Sequence, residues 1–266
     1  MVGRTAEADR VWQAVASAER GDPSFVVIEG EAGIGKTRLA AELVARLGAR
    51  REPALVLTGH GIAVPSGELP FGLLSELLRD LSHRFGVEQL RALLGSEAHA
   101  LAGLVPALDV GTVRPGPVDR TAVFGTTVDL LRQLSQDRLV VVWLDDLQWS
   151  DEASLDVFEY VGRVVHHARL LLLTTVRLSN PGDNPFSRRL AELHALPRSH
   201  VVRLDRLKDE EVAEQVRHLL ASDVRPDAVA RICRLSDGVP FLAEEESMVH
   251  MALADHGGVD HVPGIG

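Results

Sequence analysis

The chain has 266 residues, about 1.8 domains at roughly 150 residues each, so one sizeable domain with a smaller appendage is expected. Its composition, 45% hydrophobic and 25% charged, is that of a globular protein and excludes wholesale disorder. A net charge of −10 and 4% aromatics disfavour a surface built chiefly for nucleic acid, and the single cysteine excludes an internal disulfide or a thiolate metal cluster.

The N-terminus carries Arg4, Glu7, Asp9 and Arg10 where a secretory signal would need an apolar stretch. No apolar run approaches the roughly 18 residues of a membrane-spanning helix. A cytoplasmic protein with no membrane partner is therefore expected.

Phe25–Ile28 is the first of three apolar runs that do not alternate with polar residues; Leu139–Leu144 and Leu170–Val176 are the others. Strands buried on both faces of a parallel sheet read this way. Ala54–Thr58 and Val201–Leu204 are weaker strand candidates.

Gly30-Glu-Ala-Gly-Ile-Gly-Lys-Thr37 follows the first strand and matches the phosphate-binding pattern G-x-x-x-x-G-K-[ST] at every fixed position. The next segment, Thr37–Leu47, sets Leu39, Ala40, Leu43, Val44 and Leu47 along one helical stripe. Gly30, Gly33 and Gly35 let the backbone turn tightly and present N–H groups to phosphate oxygens. The start of the helix adds unpaired N–H groups and a favourable dipole. Lys36 is expected to reach the β- and γ-phosphates of ATP and Thr37 to ligate Mg²⁺. Glu31, Ala32 and Ile34 complete the loop, and with Arg38 behind it they count among the nucleotide-contacting residues. The chain holds only two lysines, Lys36 and Lys208, and one falls on the motif. A ligand-free Gly-rich turn is the bland alternative, and the flanking strand and helix weigh against it.

Residues 59–137 read as a helical insertion and crossover. A loop at Gly59–Pro70 is followed by helices at Phe71–Phe85 and Val87–Leu94, then a loop at Gly111–Pro117 and a helix at Arg120–Leu134. The strand Leu139–Leu144 then delivers Asp145 and Asp146 at its C-terminal end, beside the phosphate loop in an open α/β sheet. Asp145 is expected to hold Mg²⁺, and Asp146 to orient or deprotonate the attacking water. Asp151 reads as the N-cap of a helix over 151–165, and Trp149 as packing. Arg177, directly after the strand Leu170–Val176, can face the γ-phosphate or be simply solvated.

After Leu204 the pattern turns all-helical, at Lys208–Leu220, Pro226–Leu235 and Val239–Leu253, with Gly238 as a helix stop and Pro240 as a helix start. The domain boundary is therefore placed at about Asp205. Residues 1–205 form a nucleotide-binding domain, 206–254 a small helical lid and 255–266 a tail or linker. His166 and His167 lack partners at metal-ligand spacing. Cys233 reads as buried packing rather than a nucleophile, and Glu244–Glu246 as a solvated helix face.

Val2-Gly-Arg4, the phosphate loop, Leu144-Asp-Asp-Leu-Gln-Trp-Ser-Asp151, Leu170–Arg177 and Asp237–Glu245 occur in the order of the STAND-type AAA-like ATPases. The chain resembles, more narrowly, the ATPase module of the large MalT-like LuxR-type bacterial transcriptional regulators, from Val2 to about Val262. That resemblance implies a P-loop NTPase three-layer α/β sandwich with a parallel sheet and an all-helical lid. It implies that Val2, Gly3 and Arg4 contact adenine, that Arg177 is a sensor arginine, and that Pro240 touches the nucleotide in a closed, ADP-bound state. It implies a switch that self-associates or engages regulatory proteins and answers a small-molecule inducer. Such regulators also carry winged-helix, repeat and DNA-binding parts; none lies in these residues, so no DNA-binding domain is expected here. The second Walker-B acid is Asp146 rather than the glutamate common in AAA proteins, which predicts slow hydrolysis, and no arginine finger is identifiable. The rival readings are a nucleotide-dependent interaction module without useful turnover, and an origin-recognition-like DNA loader disfavoured by the net charge.

Overall fold

The computed structural model describes residues 2–61, 70–108, 119–178, 186–220 and 225–256. The chain forms a five-stranded sheet of β1 (Ser24–Gly30), β2 (Leu55–His60), β3 (Val140–Asp145), β4 (Leu170–Arg177) and β5 (Ser199–Leu204), ordered β2-β3-β4-β1-β5. Every pairing is parallel, with Gly30 opposite Arg177 and Leu204, and His60 opposite Asp145. The strand ends carrying the chemistry therefore lie along one edge.

The unbroken apolar runs are explained by the layers. Phe25 and Val27 face a core with Val140, Val142, Leu170 and Leu172, while Val26 and Ile28 face the opposite one with Val141, Leu171 and Leu173. The first layer is supplied by α3 (Gly72–Phe85), α4 (Val87–Leu94), α5 (Ala98–Ala102), α6 (Arg120–Leu134) and α7 (Glu152–Val164), with Leu193 of α8 (Ser187–His194). The other consists of α1 (Thr5–Glu19) and α2 (Lys36–Gly48). This is the expected three-layer α/β sandwich of a P-loop NTPase.

Past Asp205, α9 (Asp209–Leu220), α10 (Pro226–Ser236) and α11 (Pro240–His256) close on a small core of their own around Val212, Val216, Ile232 and Ala243. Cys233 belongs to it; burial raises its thiol pKa, with Asp209 adding to the effect, so it is packing as expected. Among the described residues, no helix is long and apolar enough to cross a membrane.

Three helices were not expected. α1 buries Val11, Ala14, Val15 and Ala18, and its alanine-rich stripe is too weakly apolar to stand out from its charges. α5 is a single turn, and α8 buries only Leu193. The expected loops at Gly59–Pro70 and Gly111–Pro117 lie mostly or wholly outside the described residues, as does most of the expected tail.

Asp151 caps α7 as expected, its Oδ1 accepting from Ser154 N at 2.8 Å, and does more. The same carboxylate accepts from Phe71 N at 2.7 Å and Leu73 N at 3.4 Å, tying the start of α3 to the start of α7. Asp151→Ala is expected to destabilise the chain by about 2–4 kcal/mol, combining a lost cap with buried N–H groups left unpaired. That corresponds to a fall in Tm of roughly 5–15 °C in a domain this large. A melting curve within about 2 °C of wild type would contradict the assignment.

Candidate nucleotide site

The phosphate loop leaves β1 and is set by backbone conformation. Gly35 takes φ 100° as the residue before α2, and Gly33 takes φ 73°, values that side chains rarely permit. Lys36 is buried, its Nζ donating to Gly30 O at 3.1 Å and Glu31 O at 2.7 Å, so the loop encloses its own cation. Burial lowers the Lys36 pKa from its ordinary value; Asp146 opposes this, Arg177 reinforces it and Asp145 opposes it. A phosphate ligand would supply the missing negative charge.

The carboxylates stand where the strands end. Asp145 closes β3 and is buried; it accepts from Thr37 Oγ1 at 3.1 Å and from Thr175 Oγ1 at 2.6 Å. Asp146 follows in the left-handed region at φ 52°, its N–H donating to Thr175 Oγ1 at 2.9 Å. Gln148 completes the arrangement. Its Nε2 donates to Asp146 Oδ1 at 3.0 Å, and its Oε1 accepts from the backbone N–H of Arg177 at 2.9 Å. Gly61 N donates to Asp145 O at 2.9 Å, and a Cβ at Gly61 would come within 2.3 Å of Asp146 O, so a side chain there would displace the turn.

These groups line a cavity of about 350 Å³ that includes Ala32, Gly33, Gly35, Lys36, Thr37, Arg38, Asp146, Gln148 and Arg177, closed on the far side by Pro240, Phe241 and Glu244. A second cavity of about 270 Å³ is lined by Val2, Arg4, Ile34, Leu207, Gln215, His218 and Leu219. Gly35, Arg38, Pro240 and Glu244 line both. The pair suits a ligand with an anionic end and a flatter, less polar end.

The remaining expected residues sit around this cleft. Arg4 is buried and donates from Nη2 to Ile34 O at 3.2 Å, whereas Gly3 packs under Leu207 and Glu211. The Glu31 side chain turns away to Arg206, which donates to its Oε2 at 2.8 Å and also pairs with Asp237. Gly30 lies against Leu204 O, where a Cβ would come within 2.8 Å. Phe241 N donates to Gly33 O at 3.2 Å, bringing the start of α11 onto the loop.

Two expectations are corrected. Trp149 is 50% exposed, because the 3-10 turn Leu147–Trp149 directs Leu147 into the core and Trp149 to the cavity rim. Glu244 is not simply solvated: it is ion-paired with Arg38 and accepts from Gln215 Nε2 at 3.1 Å. Gln148 and Thr175 carry no signal of their own in the sequence, since each acts only through the pairing of β3 beside β4.

Nucleotide and magnesium fit these donors. The loop presents backbone amides and one buried ammonium to phosphates. Thr37 and Asp145, in contact at 3.1 Å, offer a hydroxyl and a carboxylate that would hold a magnesium ion together with phosphate oxygens and water. Among the described residues there is no group of three His, Cys, Asp or Glu side chains that could hold a metal ion on its own. A magnesium ion here would therefore depend on the nucleotide for ligands.

Comparison with known proteins agrees. The AAA ATPase domain family matches residues 1–173. The uncharacterized protein R02095 of Rhizobium meliloti (strain 1021) is 26% identical over 270 residues, covering 92% of this chain and 24% of its own length. The chain thus spans about a quarter of that relative. Among solved structures, Cdc6p of Pyrobaculum aerophilum is similar with a TM-score of 0.60 at 14% identity, over 98% of this chain and 64% of its own. The ORC2 protein of Aeropyrum pernix, solved with ADPNP and ADP, gives 0.57 at 16% over 98% and 66%. A mutant RuvB of Thermotoga maritima gives 0.53 at 14% over 98% and 67%. At such identities the likeness is one of fold. The family match takes in the phosphate loop and both Asp145 and Asp146: the chain belongs to the AAA ATPase domain family and is a nucleotide-binding module of that type.

Proposed function

We propose that the chain is a slowly hydrolysing signalling ATPase whose helical part, residues 206–254, closes as a lid over nucleotide held by residues 1–205. The observation that carries this reading is that Pro240 and Glu244, from α11, line both cavities, so ligand occupancy and lid position share the same side chains. ADP or ATP lies with its base beside Val2, Arg4, Leu219 and Pro240 and its phosphates on Gly33–Thr37. Bound Mg²⁺ supplies charge neutralisation at the phosphate oxygens, held by Thr37 and Asp145. Lys36 carries the β- and γ-phosphates, Arg177 faces the γ-phosphate, and Asp146 orients or deprotonates the attacking water. Arg38 beside the loop is held by Glu244, which ties the lid to the phosphate end.

The resemblance to LuxR-type regulators supports a transcription-related, cytoplasmic switch. Its partners are further copies of itself or regulatory proteins, and a small-molecule inducer sets the state. The second reading is an ADP/ATP-dependent interaction module without significant turnover. It is favoured by the short side chain of Asp146, one methylene less than the glutamate common in AAA proteins.

The lid assignment is tested with a fluorescent ADP. Pro240→Ala removes two ring methylenes from the lining of both cavities, up to about 1.6 kcal/mol at ~0.8 kcal/mol per methylene. It is expected to speed ADP dissociation about tenfold and leave ATP association within twofold of wild type. An unchanged ADP off-rate would remove the clamp.

A further inference from the structure

Asp146 occupies a backbone region that costs free energy for any residue with a Cβ, and such strain persists only where neighbours over-determine it. Two neighbours do so here. The Thr175 hydroxyl accepts from the Asp146 N–H at 2.9 Å, and the Gln148 amide donates to its Oδ1 at 3.0 Å. The same amide accepts from Arg177 N at 2.9 Å, so one planar group joins the carboxylate after β3 to the arginine that ends β4. Gln148 also lines the phosphate cavity, between Asp146 and Arg177.

We infer that Gln148 is a positioning residue for hydrolysis: by holding Asp146 Oδ1 against the end of β4 it aims Oδ2 at the water beside the γ-phosphate. The inference rests on the reading of Asp146 as the group that activates water. An aspartate reaches one methylene less far than a glutamate, so its aim matters more, and an amide anchored on backbone is a stiff mount for it. The anchor is the backbone N–H of Arg177, fixed by the pairing of β4 with β1, so the mount does not depend on where the Arg177 guanidinium points.

Phosphate release by the full chain, measured at steady state and in a single turnover, tests this with Gln148→Met, Gln148→Glu and Asp146→Asn. Gln148→Met keeps the length of the side chain and removes both hydrogen bonds. It is expected to lower kcat about tenfold while KM for ATP and ADP affinity stay within threefold. Gln148→Glu keeps an acceptor for the Arg177 N–H but sets a carboxylate oxygen against Asp146 Oδ1, and is expected to lose at least as much kcat. Added to Asp146→Asn, Gln148→Met should cost nothing further, because its effect runs through that carboxylate. Wild-type kcat in Gln148→Met beside a crippled Asp146→Asn would overturn the inference and leave the ATPase reading standing. So would losses that multiply in the double variant, or a loss confined to KM. Undiminished release in Asp146→Asn would remove the reading of Asp146 and the inference with it.

Discussion

Lys36→Ala is expected to weaken ATP and ADP binding by at least about 100-fold, measured by titration with a fluorescent nucleotide. The ammonium is the only buried cation of the loop, and it is already desolvated and surrounded by the Gly30 and Glu31 carbonyls. Two of its three hydrogens are spent on those carbonyls, and a phosphate oxygen meeting the third gains a charge-assisted hydrogen bond worth up to about 3 kcal/mol. Loss of about 3 kcal/mol is about a hundredfold in affinity. Alanine leaves the strand and helix around the loop intact, so the melting temperature should change little. Wild-type affinity in a folded Lys36→Ala chain would overturn the assignment of the phosphate site.

Asp146→Asn is expected to lower phosphate release by at least about 100-fold while ATP affinity stays within threefold. Loss of a positioned general base costs about 10²–10⁴ in rate. Asparagine has the same shape, and its carbonyl oxygen still accepts from Gln148 Nε2, so the turn between β3 and α7 should be undisturbed. The proposed binding groups lie elsewhere, on Gly33–Thr37 and Asp145. Equal loss of binding and turnover would mean that Asp146 holds the turn rather than the water.

Much of this site is local in the chain and so could be read from it. The phosphate loop is eight consecutive residues whose spacing leaves little freedom. Asp145, Asp146 and Arg177 mark themselves by standing at the ends of apolar runs that a parallel sheet must align. Pro240 was legible as a helix start, and α11 begins there. What could not be read depends on register or on contact between distant parts. Gln148 reaches Arg177, and Thr175 reaches Asp145, only because β4 lies between β1 and β3. Glu244 resembles its acidic neighbours in sequence, and only the packing of α11 on the loop separates it from them by pairing it with Arg38. Trp149 misled because a large aromatic is usually buried, whereas here a one-turn 3-10 segment sends it outward. α1 and α8 escaped because few of their positions are strongly apolar, and packing on the sheet rather than intrinsic pattern makes them helices.

We propose that this cleft turns over ATP slowly through Asp146. Phosphate release from saturating Mg-ATP, compared between wild type and Asp146→Asn with binding measured on the same samples, tests it most directly. Release above the protein-free blank is expected for wild type, reduced at least about 100-fold in the variant, with both chains equally occupied by nucleotide. Equally slow release from both chains, no faster than the blank, would contradict it.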